Sequence, residues 1–209
     1  MKRRFVIFAL LLAVALLLSS CGLDEAGIFE SDESLGKTNN TAVAIAEAMN
    51  GYLEKKGEED LVLYGMEMNL NSDGNGIVKL FYAAEQPAEV DYSDIYVAEV
   101  DSKIGHVERF ESVDYSKDGI LPYHLVKEGE VFDASSLPID SGKAVSNASR
   151  IFNENHDFYY DYVRIVLSAP KGVEIYEIEF ISMLSDTIYS SSVDAVSGAI
   201  LSSDIDALD

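Results

Sequence analysis

The single cysteine, Cys21, is the residue whose type and position most clearly indicate chemistry. It follows a long apolar run and two small residues, Ser19 and Ser20. A thiolate is a good nucleophile, so a cysteine in this position can accept a covalently attached group. Because the chain has no second cysteine, an internal disulfide is excluded. Cys21 is therefore a candidate modification site.

The first twenty residues have the form of a secretory signal. Basic residues at positions 2–4 precede an uninterrupted apolar run over residues 5–18. As a helix this run is about 21 Å long, shorter than the ~30 Å hydrocarbon core of a bilayer. A permanent transmembrane helix is therefore the weaker interpretation of the run.

The sequence at positions 18–21, Leu-Ser-Ser-Cys, resembles the lipobox of bacterial lipoproteins. This resemblance implies that a peptidase cuts between Ser20 and Cys21 and that Cys21 carries a diacylglycerol. The mature protein is then expected on the extracytoplasmic face of a bacterial membrane, held in the cell envelope by lipid and without a spanning helix. The alternative is an ordinary signal peptide followed by an incidental cysteine.

The charge of the chain excludes some classes of partner. Thirty-seven acidic residues against fifteen basic ones give a formal net charge of −22. Removal of residues 1–20 takes away three basic residues and no acidic ones, which leaves −25. This field repels the phosphates of nucleic acids and of anionic lipids, and it favours cations or basic partners. Solubility of an exposed domain is the simpler explanation of the charge.

Side chains that commonly perform catalysis or bind zinc lack the required spacing. The three histidines are far apart, and no His-Glu-x-x-His segment occurs; they are His106, His124 and His156. No serine lies in a Gly-x-Ser-x-Gly segment, and pairs such as Glu177 with Glu179 are expected by chance among so many acids. The sequence therefore predicts no enzymatic activity, no catalytic residue, no metal site and no cofactor.

The segment over residues 71–76 resembles the first half of a calcium-binding loop. Oxygen-bearing side chains stand at its first, third and fifth positions, and glycine stands at its sixth. The first position is Asn71 rather than aspartate, and the twelfth is Tyr82 rather than a bidentate glutamate. Because Asp-Gly and Asn-Gly pairs are also strong hairpin signals, a turn between two strands explains the segment more simply.

Helical and strand-like patterns alternate along the mature chain in two similar halves. Residues 21–40 are poor in large apolar residues, which predicts a flexible tether. One helix is predicted to begin near Asn40 or Thr41, either of which can cap it, and to end at Gly57. A second helix is predicted to begin at Asp140 or Ser141. Strand-like runs follow each helix, at residues 61–70, 77–83, 95–100, 160–167, 173–183 and 187–193.

The two halves end with the same pattern, Val-Asp followed four positions later by glycine. Asp101 and Gly105 in the first half match Asp194 and Gly198 in the second at an offset of 93 residues. An aspartate can accept hydrogen bonds from the backbone amides of a turn, and a glycine can take a positive φ that closes a hairpin. These four residues are therefore predicted to have structural roles in two equivalent turns.

This repeat predicts an α+β fold of two tandem modules, each a helix packed on a small antiparallel β-sheet. The domain boundaries that follow are 1–20 for the signal peptide, 21–40 for the tether, 41–110 for the first module, 111–138 for a connector and 139–209 for the second module. A single mixed domain with two similar hairpins is the alternative.

A helix followed by antiparallel strands and a last strand ending in Val-Asp-x-x-x-Gly-x-aliphatic is similar to the PepSY and PepSY-like domains of secreted bacterial proteins. The approach to the second helix, residues 138–145, is also similar to the start of such domains. The resemblance covers about residues 41–110 and 139–203. It implies a non-enzymatic module that binds proteins or peptides, with regulation or inhibition of a separate peptidase as one form of this role.

The sequence therefore predicts a lipid-anchored extracytoplasmic protein that binds an envelope protein or peptide and does not bind nucleic acid. Open sheet edges are the expected docking surface, because they offer unpaired backbone groups to an extended peptide. The alternative is a cation-binding envelope sensor or a structural lipoprotein that uses its acidic surface.

Overall fold

The computed structural model describes residues 35, 41–58, 60–84, 94–115, 132–155 and 158–204. The predicted signal peptide, Cys21 and most of the tether and connector lie outside these described residues. Neither described helix is both long and apolar enough to cross a membrane. In chain order the elements are α1 (Ala42–Lys56), β1 (Leu61–Asn71), β2 (Gly76–Ala84), β3 (Ile95–Asp101), β4 (His106–Val113), a 3-10 turn (Ala134–Ser136), α2 (Ser141–Asn155), β5 (Tyr162–Ser168), β6 (Ile175–Ser182), β7 (Thr187–Asp194) and β8 (Ile200–Ser203).

The first helix has the extent that its sequence pattern predicts. Ile45, Met49 and Leu53 recur at helical spacing, and all three are buried. Gly57 ends the helix in the left-handed conformation, with φ of 77°, which a glycine takes without strain. The predicted end at Gly57 is thus confirmed. The helix also begins next to Thr41 as predicted, but Thr41 does not make the predicted side-chain cap.

The eight strands form one continuous antiparallel sheet, so the prediction of two small separate sheets is wrong. The strand order is β4-β3-β2-β1-β5-β6-β7-β8. Each half contributes four neighbouring strands, and the halves join where β1 pairs with β5, from Gly65 opposite Ser168 to Asn71 opposite Tyr162. The fold is still α+β in the broad sense, with two described α-helices.

The joining of the two sheets has a physical reason. Alone, each four-strand sheet would expose β1 or β5 as an edge with a row of unpaired N–H and C=O groups. The two strands carry buried apolar side chains at alternating positions, including Met66 and Met68 on β1 and Val163 and Ile165 on β5. Pairing them satisfies both edges and makes one continuous apolar surface.

Both helices pack on the same face of this sheet. The main core contains residues of α1 and α2 together with alternating residues of β1 to β7. Near α2, an aromatic cluster links the helix to β6 and β7: Phe152 lies 5.6 Å from Phe180 and 5.3 Å from Tyr189 between ring centroids. The opposite face of the sheet carries no described helix and is called the open face below.

The N-termini of the two helices meet at one pair of residues. The Asp140 Oδ1 accepts a hydrogen bond from the Ser141 N–H at 2.6 Å, at the start of α2, and another from the Val43 N–H at 3.3 Å, in the first turn of α1. The Ser141 hydroxyl oxygen accepts a third from the Ala42 N–H at 2.9 Å. Thr41, at the N-cap position of α1, makes no side-chain capping bond. The second half of the chain therefore caps the helix of the first half.

Two tyrosines of the first half have their hydroxyl groups buried in the core. Tyr52 and Tyr82 have no hydrogen-bond partner for their hydroxyl oxygen within the described part of the chain. Tyr82 is 1 % exposed, and burial raises the pKa of its hydroxyl far above the usual value. By contrast, the buried Tyr176 donates its hydroxyl hydrogen to the Ile139 carbonyl at 2.8 Å.

This contrast gives a matched pair of substitutions. We predict that Tyr82→Phe raises the free energy of unfolding by about 1 kcal/mol, because a buried hydroxyl without a partner costs ~1–3 kcal/mol. Tyr176→Phe should lower the same quantity by about 1 kcal/mol, because it removes a made hydrogen bond. Urea unfolding followed by circular dichroism measures both. Destabilisation of equal size in the two variants would contradict the assignment of the Tyr82 hydroxyl as unpartnered.

Candidate functional site

The open face differs between the two halves of the sheet. In the first half it carries a second cluster of buried apolar side chains, which includes Tyr64, Phe81 and Val97. In the second half, the outward positions of β5 to β7 hold charged, serine and exposed apolar side chains. The exposed apolar side chains of this face that lie in strands are therefore on β5 and β7.

A row of ion pairs crosses the middle of the open face. Arg164, on β5, donates from Nε to Glu67 Oε1 at 2.9 Å and from Nη1 to Glu179 Oε2 at 3.2 Å. Glu67 lies on β1, so this guanidinium joins the two halves of the sheet. Partial burial lowers the pKa of Arg164, but the bonds and charges of the two glutamates outweigh that effect and raise the pKa overall. Further pairs in the first half are Lys79 with Glu99 at 3.0 Å and Arg109 with Glu111.

A groove of about 380 Å³ lies on the open face beside Arg164. Its lining is polar and rich in serines and carboxylates: Arg164, Val166, Glu177, Ile178, Glu179, Ser190, Ser191, Ser192, Ser202, Ser203 and Asp204. The Asp204 Oδ2 accepts a hydrogen bond from the Ser190 N–H at 2.7 Å, which holds this carboxylate against β7. The groove therefore places three carboxylates and one guanidinium in a shallow surface depression.

An apolar row borders the groove. Tyr162 on β5 pairs with Ile181 on β6, which pairs with Ile188 on β7, so the three side chains stand side by side on the open face. Tyr162 is 47 % exposed and Ile188 is 60 % exposed. Met183 and Leu184, in the turn after β6, are also largely exposed. An exposed apolar row next to a polar groove is typical of a protein-binding surface.

A second hollow, of about 450 Å³, lies between α1, β1 and the 3-10 turn. Its lining includes the core residues Leu53, Leu63, Phe132 and Ala134. It is a gap at the margin of the helix-to-sheet packing, and its lining includes none of the ion-paired side chains of the open face.

The four residues of the repeated motif lie in two turns with the same hydrogen bonds. The Asp101 Oδ1 accepts from the Lys103 N–H at 2.8 Å and from the Ile104 N–H at 3.3 Å. Its backbone carbonyl accepts from the Gly105 N–H at 2.8 Å, and Gly105 has φ of 63°. The Leu35 N–H in turn donates to the Gly105 carbonyl at 2.5 Å, and the Leu35 side chain packs against the main core.

In the second copy, the Asp194 Oδ1 accepts from the Val196 N–H at 3.0 Å and from the Ser197 N–H at 2.6 Å. The Asp194 carbonyl accepts from the Gly198 N–H at 2.9 Å, and Gly198 has φ of 74°. A Cβ at Gly198 would lie 3.0 Å from Asn147 Nδ2, so this turn also packs closely on α2. None of the four motif residues is among those that line the groove.

Among the described residues, neither His106 nor the segment over residues 71–76 lines the groove. Ser20, Cys21, His124 and His156 lie outside the described residues, and His106 begins β4. In the segment that resembles a calcium loop, the Asn71 Oδ1 accepts from the amides of residues 73 and 75, both at 3.0 Å, as part of the β1–β2 turn. Among the described residues, no group of three or more His, Cys, Asp or Glu side chains could hold a metal ion.

The sequence pattern did not single out Arg164, Tyr162 or Ile188. Each stands in an alternating strand at a position that the pattern assigns to solvent, and nothing in the pattern distinguishes a bare sheet face from a binding surface. Glu177 and Glu179 line the groove, although among so many acids the sequence predicts such a pair by chance. A usable signal was the presence of large apolar residues, Tyr162 and Ile188, at outward positions of two strands.

No protein-family model matches the chain, and no curated protein sequence matches it. The crystal structure of a candidate lipoprotein of Clostridium difficile 630, determined at 1.85 Å resolution, is similar to this chain, with 16 % sequence identity and a TM-score of 0.49. The similarity covers 76 % of this chain and 90 % of that chain. The resemblance to PepSY domains therefore stays a prediction from the sequence.

The Asp194 turn generates a prediction about pH. Bonds from the backbone N–H and hydroxyl of Ser197, with a further bond from the Val196 N–H, hold the pKa of Asp194 below its usual 3.8. A lowered pKa means that this carboxylate stabilises the fold fully above about pH 4 and that the contribution is lost as the pH falls through the folded-state pKa. We predict that Asp194→Asn lowers the free energy of unfolding at pH 7 and weakens its dependence on pH below about 4.

Urea unfolding at a series of pH values measures this dependence. Ser197→Ala is the matched control, because it keeps the carboxylate and removes one of its donors, and it should give an intermediate slope. The prediction would be contradicted if the free energy of unfolding of Asp194→Asn fell below about pH 4 as steeply as that of the unsubstituted protein.

Proposed function

We propose that this protein is a lipid-anchored, non-enzymatic protein of the bacterial cell envelope, and that a separate protein docks on the open face of β5–β8. The observation that carries the docking proposal is the apolar row of Tyr162, Ile181 and Ile188 beside the groove, on the face without a described helix. Tyr162 and Ile188 are exposed, and Ile181 between them is partly buried. Exposed apolar side chains at neighbouring positions of a sheet cost free energy in water unless a partner covers them.

The charge of the chain favours a partner protein over a second copy. A formal charge of −22 means that two copies placed face to face would repel each other. The same field favours a partner whose contacting surface is basic. The sequence predicts docking at open sheet edges, which in this single sheet are β4 and β8. The docking surface proposed instead is the open face, because the apolar row lies there.

The sequence resemblance to PepSY domains supports a narrower version of the proposal, in which the docked partner is a peptidase that this protein restrains. The anchor is supported by the Leu-Ser-Ser-Cys sequence at positions 18–21 and by the basic and apolar segments before it. Two acyl chains on Cys21 would keep the docking domain at the membrane surface, because each buried methylene adds ~0.8 kcal/mol.

The anchor is tested by expressing the full-length precursor in a bacterium that processes lipoproteins. We predict that the mature protein starts at Cys21, carries a diacylglycerol detected by intact mass spectrometry, and partitions into the detergent phase of Triton X-114. Cys21→Ser should prevent lipid attachment and leave the protein in the aqueous phase. An unlipidated mature protein with a free thiol at Cys21 would disprove the anchor.

Docking on the open face is tested with a photo-crosslinking amino acid, benzoylphenylalanine, placed in the full chain in cells. We predict that the crosslinker at Ile188 gives a discrete adduct with a second envelope protein. The crosslinker at Ser146, an exposed position on α2, is the control for the helix-covered side and should give none.

A second substitution shows whether the adduct depends on the apolar row. Ile181→Asp should reduce the adduct formed from position 188 at least fivefold, because a carboxylate would replace the centre of the row. Equal adducts from positions 188 and 146, or no effect of Ile181→Asp, would overturn docking on this face.

A further inference from the structure

The groove on the open face has an excess of negative charge. Arg164 is the one basic residue of the lining, and its guanidinium already bonds Glu67 and Glu179. Glu177 makes no ion pair with any described residue, and Asp204 accepts only a backbone N–H bond, from Ser190. Two carboxylates of the lining thus lack a cationic partner in the described part of the chain, while hydroxyls of neighbouring serines line the same depression.

The apolar row and the groove lie side by side with a defined spacing. Ile181 and Glu179 are two residues apart on β6, and Ile188 and Ser190 are two residues apart on β7. Positions two apart on a strand are about 6.8 Å apart on one face, and neighbouring strands are about 4.8 Å apart. The surface therefore presents three apolar side chains in a line across three strands. A parallel line of Arg164, Glu179 and Ser190 lies about 7 Å away, and the Asp204 carboxylate is bonded to the Ser190 N–H of that line.

This spacing fits an α-helix that lies across the strands. The helical pitch of about 5.4 Å brings side chains of successive turns close to successive strands. The axis of such a helix crosses the strands, so its width of about 10–12 Å lies along the strand direction. Its flank therefore reaches the line of Arg164, Glu179 and Ser190, about 7 Å from the apolar row. A residue on the flank of the helix, three or four positions from an apolar one, would point into the groove.

We propose that the occupant of the open face is an amphipathic, basic helix of the partner protein. Its apolar stripe packs across Tyr162, Ile181 and Ile188. A lysine or arginine beside the stripe extends into the groove past Asp204, which is held at Ser190, toward Glu177, four residues from Ile181. This inference rests on the docking function proposed above and adds the chemistry of the partner: a cation that neutralises the acidic groove and apolar groups that cover the row.

Binding of a synthetic peptide to the full mature chain, residues 21–209 with Cys21→Ser to exclude lipid, tests this inference. The probe is an 18-residue peptide of leucine and lysine with leucines at helical spacing, and its counterpart has glutamate in place of every lysine. Fluorescence anisotropy of the labelled peptide measures Kd at about 0.1 M salt, where surface charges still act over about 10 Å. The lysine peptide should bind and the glutamate peptide should not.

Matched charge variants separate the groove from the general acidic field. Glu177→Gln with Asp204→Asn should raise the Kd of the lysine peptide at least tenfold. Glu47→Gln with Glu54→Gln removes the same charge from exposed positions of α1 and should change the Kd less than twofold. Ile188→Ser should raise the Kd severalfold, which separates the apolar row from the charges.

Each contrary result has a definite meaning. Equal weakening in both double variants would show attraction by net charge alone and would overturn the inference, as would equal binding of the glutamate peptide. Failure of the lysine peptide to bind at about 1 mM would also overturn it. If the crosslink from position 188 persists in any of these cases, the docking function stands with a partner of another chemistry; if that crosslink is absent as well, both proposals fail.

Discussion

The pairing of β1 with β5 is the interaction on which the rest of the structure depends. It joins strands that are about a hundred residues apart in sequence and turns two four-strand units into one sheet. Because each unit carries its helix on one side, an in-plane joint between antiparallel strands leaves both helices on the same face. It also makes the other face continuous, so that Arg164 from one half reaches Glu67 from the other.

The shared cap at Asp140 and Ser141 reinforces that joint on the helical side. Unsatisfied amides at a helix N-terminus carry a partial positive charge, and here two such termini converge on one carboxylate. The arrangement fixes the start of α1 against the start of α2 independently of the strand pairing. Two separate sets of contacts therefore hold the halves together: the β1–β5 pairing in the sheet and the hydrogen bonds of Asp140 and Ser141 above it. For this reason one layered fold describes the two halves better than two linked modules.

Local features of the fold were predictable from the sequence, and long-range ones were not. The helices, the β1–β2 turn and the Asp-Gly turns follow from spacing and turn chemistry within a few residues. Asp140 was recognisable as a cap for α2, but its bond to Val43 depends on a contact across 97 residues. An alternating pattern predicts a strand and its two faces, but it does not predict which strand pairs with it. The pattern therefore predicts neither the β1–β5 pairing nor the alignment of Tyr162, Ile181 and Ile188.

The contact between Leu35 and Gly105 limits the distance between the proposed binding surface and the proposed anchor at Cys21. Fourteen residue steps separate Cys21 from Leu35, and such a length of chain spans at most roughly 48 Å. The chain therefore meets the folded domain at the β4 end of the sheet, whereas the groove is centred about five strand spacings away, near β6. With the proposed lipid on Cys21, a connecting chain of this length would hold the proposed docking surface near the membrane. Its local concentration would then be far higher for a partner in the same membrane than for a partner free in the surrounding medium.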